Sequence, residues 1–203
     1  MKHSIREFGR SDQLDAALGL TTPVASKLAS IVVYAASIEY HLERALWVCE
    51  GVDPKGIRPR TDGKQISELI TMLETWAKKQ PDVATRDIMV TWSKAAQFGF
   101  VIRNNIAHGV AAKNGSIMVV SRNPRWDGED RVRAFGSLKC ESSTLDLIRD
   151  SLATLLRVIS GVEKNRAAMA RLADPVVVSA LQDAQSILGE FADQFYNPSF
   201  EKY

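Results

Sequence analysis

Between Thr22 and Gly51 the chain reads TPVASKLASIVVYAASIEYHLERALWVCE, and its apolar residues recur at alternating four- and three-residue steps. Val24, Leu28, Ile31, Ala35, Ile38, Leu42, Ala45 and Cys49 form the series. Held over such a length, this period is the seam of a long amphipathic helix whose stripe must be buried against other helices. Ala35 and Ala45 on the seam permit a neighbour to approach closely. Thr22 and Pro23 supply a start and Gly51 a stop. A seam this long excludes most folds other than a helical assembly.

The same period returns along the chain. Ile66, Leu69, Leu73 and Trp76 mark a second helix. A third is expected from about Asp82 or Val83, with Ile88, Trp92, Ala95, Gly99, Ile102 and Ile106 on its apolar side and Gly109 signalling its end. Leu145, Ile148, Leu152, Leu155, Ile159, Val162 and Met169 share one face of a fourth, where Ser143 and Asp146 resemble a capping box. Asp174 and Pro175 break it and begin a fifth, with Val177, Leu181, Ala184, Leu188 and Phe191 in register. Only SIMVVS and RVRAFG change period, and they read as a β-hairpin at about 116–136 around Pro and Asp-Gly turn signals. The expected fold is an all-α, antiparallel four-helix-type bundle with an extra C-terminal helix and a small inserted β-hairpin. It divides into an N-terminal segment (1–21), a helical bundle (22–172) and a C-terminal helix and tail (173–203).

Composition narrows the function classes. The chain has 203 residues, 45% of them hydrophobic, and a formal net charge of +2. It has enough apolar material for a core and no overall field that commits it to nucleic acid, so any such contact must rest on a local patch. Cys49 and Cys140 lie far apart and make neither a disulfide framework nor a metal-ligand spacing. There is no Gly-rich phosphate loop, no His-Glu-x-x-His and no Cys-x-x-Cys, so neither a cofactor nor a metal is expected. No apolar run has the length of a membrane span and the N-terminus has no apolar leader, which places the expected protein in the cytoplasm.

The stretch that carries chemistry is FVIRNNIAHGV, residues 100–110. An apolar helix meets Arg103, Asn104, Asn105 and His108 and then a glycine. One reading is a helix stop, with cations complementing the carbonyl end of the helix dipole. The other is an active site. On a continuous helix, five residues at about 100° each leave Arg103 and His108 roughly 140° apart. A single pocket therefore needs the helix to end or distort before His108, or a second copy of the chain.

RNNIAH resembles the Arg-x4-His motif of the HEPN superfamily, the higher eukaryote and prokaryote nucleotide-binding domains, and the resemblance covers roughly residues 22–172. It implies a dimeric helical bundle with the motif at the end of a long helix. It also implies a metal-independent endoribonuclease, often a toxin or antiviral defence protein, with Arg103 and His108 as the catalytic pair and Asn104 in support. An antitoxin or regulatory protein partner is implied with it. In the toxins paired with nucleotidyltransferase antitoxins, a tyrosine commonly stands two places after the histidine; here that place holds Val110.

The chemistry suits these residue types. RNA is cut without metal when its own 2′-hydroxyl attacks the adjacent phosphorus, which requires a base, an acid and stabilisation of the phosphorane. Histidine titrates near neutrality and serves as acid or base, while arginine grips phosphate oxygens with parallel donors. One chain supplies one histidine here, so a homodimer with a composite site across a two-fold axis is expected. Asn105, Arg122 and Arg125 are candidate RNA-binding residues, Arg122 and Arg125 lying beside Trp126, Arg131 and Arg133 at the hairpin tip, diluted by Asp127, Glu129 and Asp130. Lys55, Arg58, Arg60 and Lys64 form a second mildly basic loop. Glu39 and Glu43 either line the cleft with Arg103 or, the preferred reading, sit on a solvated face near Lys27 and Arg44. His41 reads as packed or exposed rather than catalytic. Two other classes stay open: a non-catalytic HEPN-type module that binds a nucleotide or a protein, and a plain helical scaffold.

Overall fold

The computed structural model describes residues 4–53, 55, 61–124, 135–164 and 172–193. Two short helices, α1 (Ser4–Gly9) and α2 (Ser11–Leu18), precede the long α3 (Thr22–Glu50), followed by α4 (Ile66–Ala77) and α5 (Val83–His108). Strands β1 (Val110–Asn114), β2 (Ile117–Arg122) and β3 (Gly136–Lys139) come next, then α6 (Ser142–Lys164) and α7 (Pro175–Ala192). The molecule is mostly helical, with one small antiparallel sheet in the order β1-β2-β3.

The α3 seam is buried from Leu28 to Cys49, and only Val24 remains half-buried. The stop works as its glycine requires: Gly51 has φ 67°, and Val52 N–H returns to the Trp47 carbonyl at 2.9 Å. At the start of α5 the Asp82 carboxylate accepts from Thr85 N–H at 2.8 Å. Asp174 does the same for α7 through Val176 N–H at 2.8 Å, with Pro175 in the first turn. Three tryptophans place their indole N–H groups on fixed acceptors: Trp92 on the Leu155 carbonyl (2.9 Å), Trp76 on the Cys49 carbonyl (3.0 Å) and Trp47 on Thr61 Oγ1 (2.9 Å). The rings of Trp47 and Trp92 are buried and that of Trp76 half-buried, none with an orphan donor.

Helix directions follow from these contacts. Lys27 of α3 meets Asp146 of α6 at 2.6 Å, while His41 and Arg44 meet Glu163. Contact positions rise together along both helices, so α3 and α6 are parallel neighbours. Asp146, expected to help cap α6, thus ties the two helices together. Helices α5 and α7 also run parallel, because a Cβ at Gly99 would stand 3.5 Å from Leu188 and one at Gly189 would stand 3.2 Å from Phe98, whereas Ile88 shares a cleft with Leu181. Between α5 and α6 the order reverses, Trp92 meeting Leu155 and Gly99 facing Leu152. The C-terminal helix is part of the core, contributing Leu181, Leu188 and Phe191.

Of the expected hairpin, SIMVVS falls on β2, and the strand that pairs with it is β3. β3 shares only Gly136 with the expected RVRAFG, since Phe135 is not in a strand and 131–134 lie outside the described residues. β1 joins β2 through a tight turn at Gly115, where φ is 61°, with Asn114 opposite Ile117 and Val110 opposite Ser121. Met118, Val120, Leu138 and Cys140 turn inward and join the core, so one face of the sheet covers the end of α5. Residues 125–134, which hold the expected hairpin tip, lie outside the described residues, as do Arg58, Arg60 and Met169.

Candidate functional site

Helix α5 runs unbroken through the whole of RNNIAH and ends at His108, so no distortion swings His108 back toward Arg103. Within one chain the two side chains therefore leave the helix in different directions. Arg103 turns toward α3. Its Nη2 lies 3.6 Å from Glu39 Oε2, its Nη1 donates to Asn104 Oδ1 at 2.9 Å, and its guanidinium carbon sits 5.7 Å from the Phe100 ring centre. A cation held by a carboxylate, an amide and an aromatic face is positioned while keeping donors to spare. Glu39 is thus a neighbour of Arg103 rather than a partner of Lys27 or Arg44, which pair with Asp146 and Glu163.

Asn105 occupies the other side of α5. It is 8% exposed and belongs to a stripe with Phe98 and Val101 at helical spacing. That stripe lines a cavity of about 750 Å³ between α5, the last turn of α7 and the β2–β3 end of the sheet. Arg122, from the end of β2, lines the same cavity. Two of the three expected RNA-binding residues, Asn105 and Arg122, are therefore brought together; Arg125 lies outside the described residues. His108 extends the stripe by one turn and is exposed.

Gly109 has a different reason for being glycine than the helix stop suggested. Its φ of −84° and ψ of 161° are extended backbone that any residue adopts. A Cβ there, however, would lie 2.3 Å from Val120 Cγ1 and 2.4 Å from the Asn105 carbonyl oxygen. The glycine lets β2 close directly onto the helix end. Gly136 acts similarly from β3, where an added Cβ would stand 3.3 Å from Asn105 Nδ2. The Asn105 amide thus lies against a strand that has no side chain at that point. β1 itself escaped the sequence reading, because Val-Ala-Ala-Lys-Asn shows no alternation. The signal that finds it is Asn114-Gly115, the dipeptide favoured in two-residue hairpin turns.

A second cluster stands further along α3. The Glu163 carboxylate accepts from both His41 and Arg44, and the Arg44 guanidinium carbon lies 5.4 Å from the Tyr40 ring centre. Burial pushes the Glu163 carboxyl up, but the hydrogen bonds from Arg44 and His41 outweigh it and hold it below its ordinary value. His41 is thus a clamp between α3 and α6. Lys64 of the expected basic loop lies 3.4 Å from Glu68. Both cysteines are buried, and burial raises the Cys140 thiol to about 11. Among the described residues, no three His, Cys, Asp or Glu side chains converge as a metal site, and no single helix is long and apolar enough to cross a membrane.

Fold and site together define a mostly helical protein whose longest core helices frame a polar helix end covered by a three-stranded sheet. No family model, curated protein or solved structure matches the chain.

Proposed function

We propose that the protein is a metal-independent endoribonuclease of the Arg-x4-His type, cutting RNA by attack of its own 2′-hydroxyl at a site shared by two copies of the chain. The observation that carries this reading is the end of α5, where His108 stands exposed and Arg103 is held by Glu39 and Asn104. Arg103 binds the scissile phosphate and His108 moves a proton. Because the two diverge on one continuous helix, the arginine of one copy works beside the histidine of the other, and the pair of histidines supplies both acid and base. The fold that goes with this reading is a four-helix-type bundle of α3, α4, α5 and α6, with α7 as the extra C-terminal helix. A toxin or defence role, with a neutralising protein partner, follows from the resemblance of RNNIAH to HEPN motifs.

Purified protein is assayed on mixed RNA in excess chelator, beside His108→Ala, with product ends identified. Cleavage to cyclic or 3′-phosphate ends, lowered by about 10²- to 10⁴-fold in His108→Ala, supports the reading. Full activity from a monomer would remove the shared site.

The divergence of Arg103 and His108 also favours a second reading: a non-catalytic HEPN-type module that binds a nucleotide or a protein, with RNNIAH serving the fold. A folded dimer that cuts no RNA, and whose His108→Ala variant has unchanged properties, selects it.

A further inference from the structure

We infer that the C-terminal segment 194–203, QFYNPSFEKY, docks in the cavity between α5, α7 and the sheet of its own chain. Its aromatic side chains pack on Phe98, Val101 and Phe135, and Glu201 is set against Arg122. The cavity and the end of α7 carry this independently of the ribonuclease reading. A docked segment covers Asn105 and does not touch Arg103, which faces α3.

Val101 is 41% exposed and Phe135 42% exposed, and both line the cavity beside Phe98 and Phe191. Large apolar side chains gathered in one concave place mark a surface that takes a partner, whereas single ones scattered over a surface do not. Water in about 750 Å³ of such space leaves their apolar area unburied.

The chain itself delivers a partner to that place. Helix α7 stops at Ala192, and Asp193, with φ −67° and ψ 127°, leaves it in extended backbone while lining the cavity. The ten residues that follow start at the cavity, and ten residues reach up to about 33 Å. A tethered segment is present at a high effective concentration, which a separate protein has to match by affinity.

The composition of the segment fits the surface. Phe195, Tyr196, Phe200 and Tyr203 make four aromatics in ten residues, against 7% for the whole chain. Asn197-Pro198 is a turn signal between the two aromatic pairs, so the chain can double back and offer both to one concave surface. Charge agrees with shape. Arg122 lines the cavity without an ion-pair partner among the described residues, and Glu201 is the acidic residue of the segment.

Hydrogen exchange on the full chain, read segment by segment, tests this. Amides of 194–203 are expected to exchange at least about tenfold more slowly than in a free peptide of the same ten residues. Ser137→Trp and Val101→Glu, both at exposed positions that line the cavity, are expected to raise that exchange to the peptide rate while the amides of α3 and α6 keep theirs. Arg122→Glu is expected to speed it a few-fold, and Glu201→Arg in the same chain to restore it. Exchange of 194–203 at the peptide rate in the wild type overturns the inference. So does protection that persists unchanged in both folded cavity variants, because the segment then packs elsewhere. Protection that falls on dilution overturns it too, since the cavity is then filled by a second copy, whose exposed Ile5 and Phe8 are the competing apolar groups.

Discussion

The two sides of the α5 end are built by different physics. Toward α3, Arg103 is held by charge and aromatic contact, at 3.6 Å from Glu39 and 5.7 Å from the Phe100 ring centre. Toward the sheet, Asn105 and Gly109 are held by shape, with no room for one more carbon at Gly109. Charge contacts near a surface tolerate adjustment and weaken with salt. Close packing does not adjust, because a clash must be relieved by moving backbone. The lesson is that one short motif sits astride an adaptable face and a rigid one, and the rigid face carries the larger energies.

Gly109→Val tests the rigid face most severely. Its side chain has to displace Val120 or the Asn105 carbonyl, and the expected loss is about 3 kcal/mol, read by urea unfolding. The same variant is expected to lift the sheet and open Cys140, so a thiol reagent should label it faster than in the wild type, where burial shields the thiol and raises it to about 11. Equal stability and equal labelling would show that the helix end is not shape-limited.

A milder probe is Gly136→Ala, where the new Cβ meets the Asn105 amide at 3.3 Å. The amide can turn, so the expected loss is about 1 kcal/mol in the same assay. Glu39→Gln tests the adaptable face. Its partner is partly solvated, so stability should change by less than about 1 kcal/mol. RNA cleavage should fall all the same as Arg103 loses its positioning, and the difference should shrink in high salt. A stability loss as large as that of Gly109→Val would erase the contrast between the faces.

The smallest effect belongs to the clamp beyond the site. The Glu163 carboxyl is held below its ordinary value, so the clamp contributes fully above the ordinary carboxylate range and is lost as pH falls through the depressed value. Urea midpoints measured from pH 7 down to pH about 3 should therefore fall less steeply in Glu163→Gln than in wild type. An identical slope would show that this carboxylate does not report on α3–α6 packing.

The helical content was legible because burial has a period. Leu28 through Cys49 on α3, and Leu145 through Val162 on α6, are buried where three- and four-residue spacing places them. The ends were legible for local reasons, Asp82, Pro175 and Gly51 each solving a backbone problem within a few residues of itself. Strand β1 was not, because its extended backbone comes from pairing with β2 rather than from a preference of Ala-Ala-Lys. Similarly, the partner of Arg103 was misjudged: Glu39 is 64 residues away, and nothing in local charge spacing singles it out among the glutamates of the same helix.

The sequence by itself determined a mostly helical protein, five of its helices with several of their ends, and the concentration of polar chemistry at RNNIAH, since period, caps and residue type act over single turns. Helices α1 and α2, short and exposed, carry no such period. Tertiary structure alone decided that α3 and α6 run parallel, that α7 belongs to the core, and that Asn105 and Arg122 share a cavity from which Arg103 turns away. Those outcomes depend on which surfaces meet across tens of residues. Relations of that kind are set by packing and steric closeness, as at Gly109 and Gly136, and leave no periodic trace in the chain.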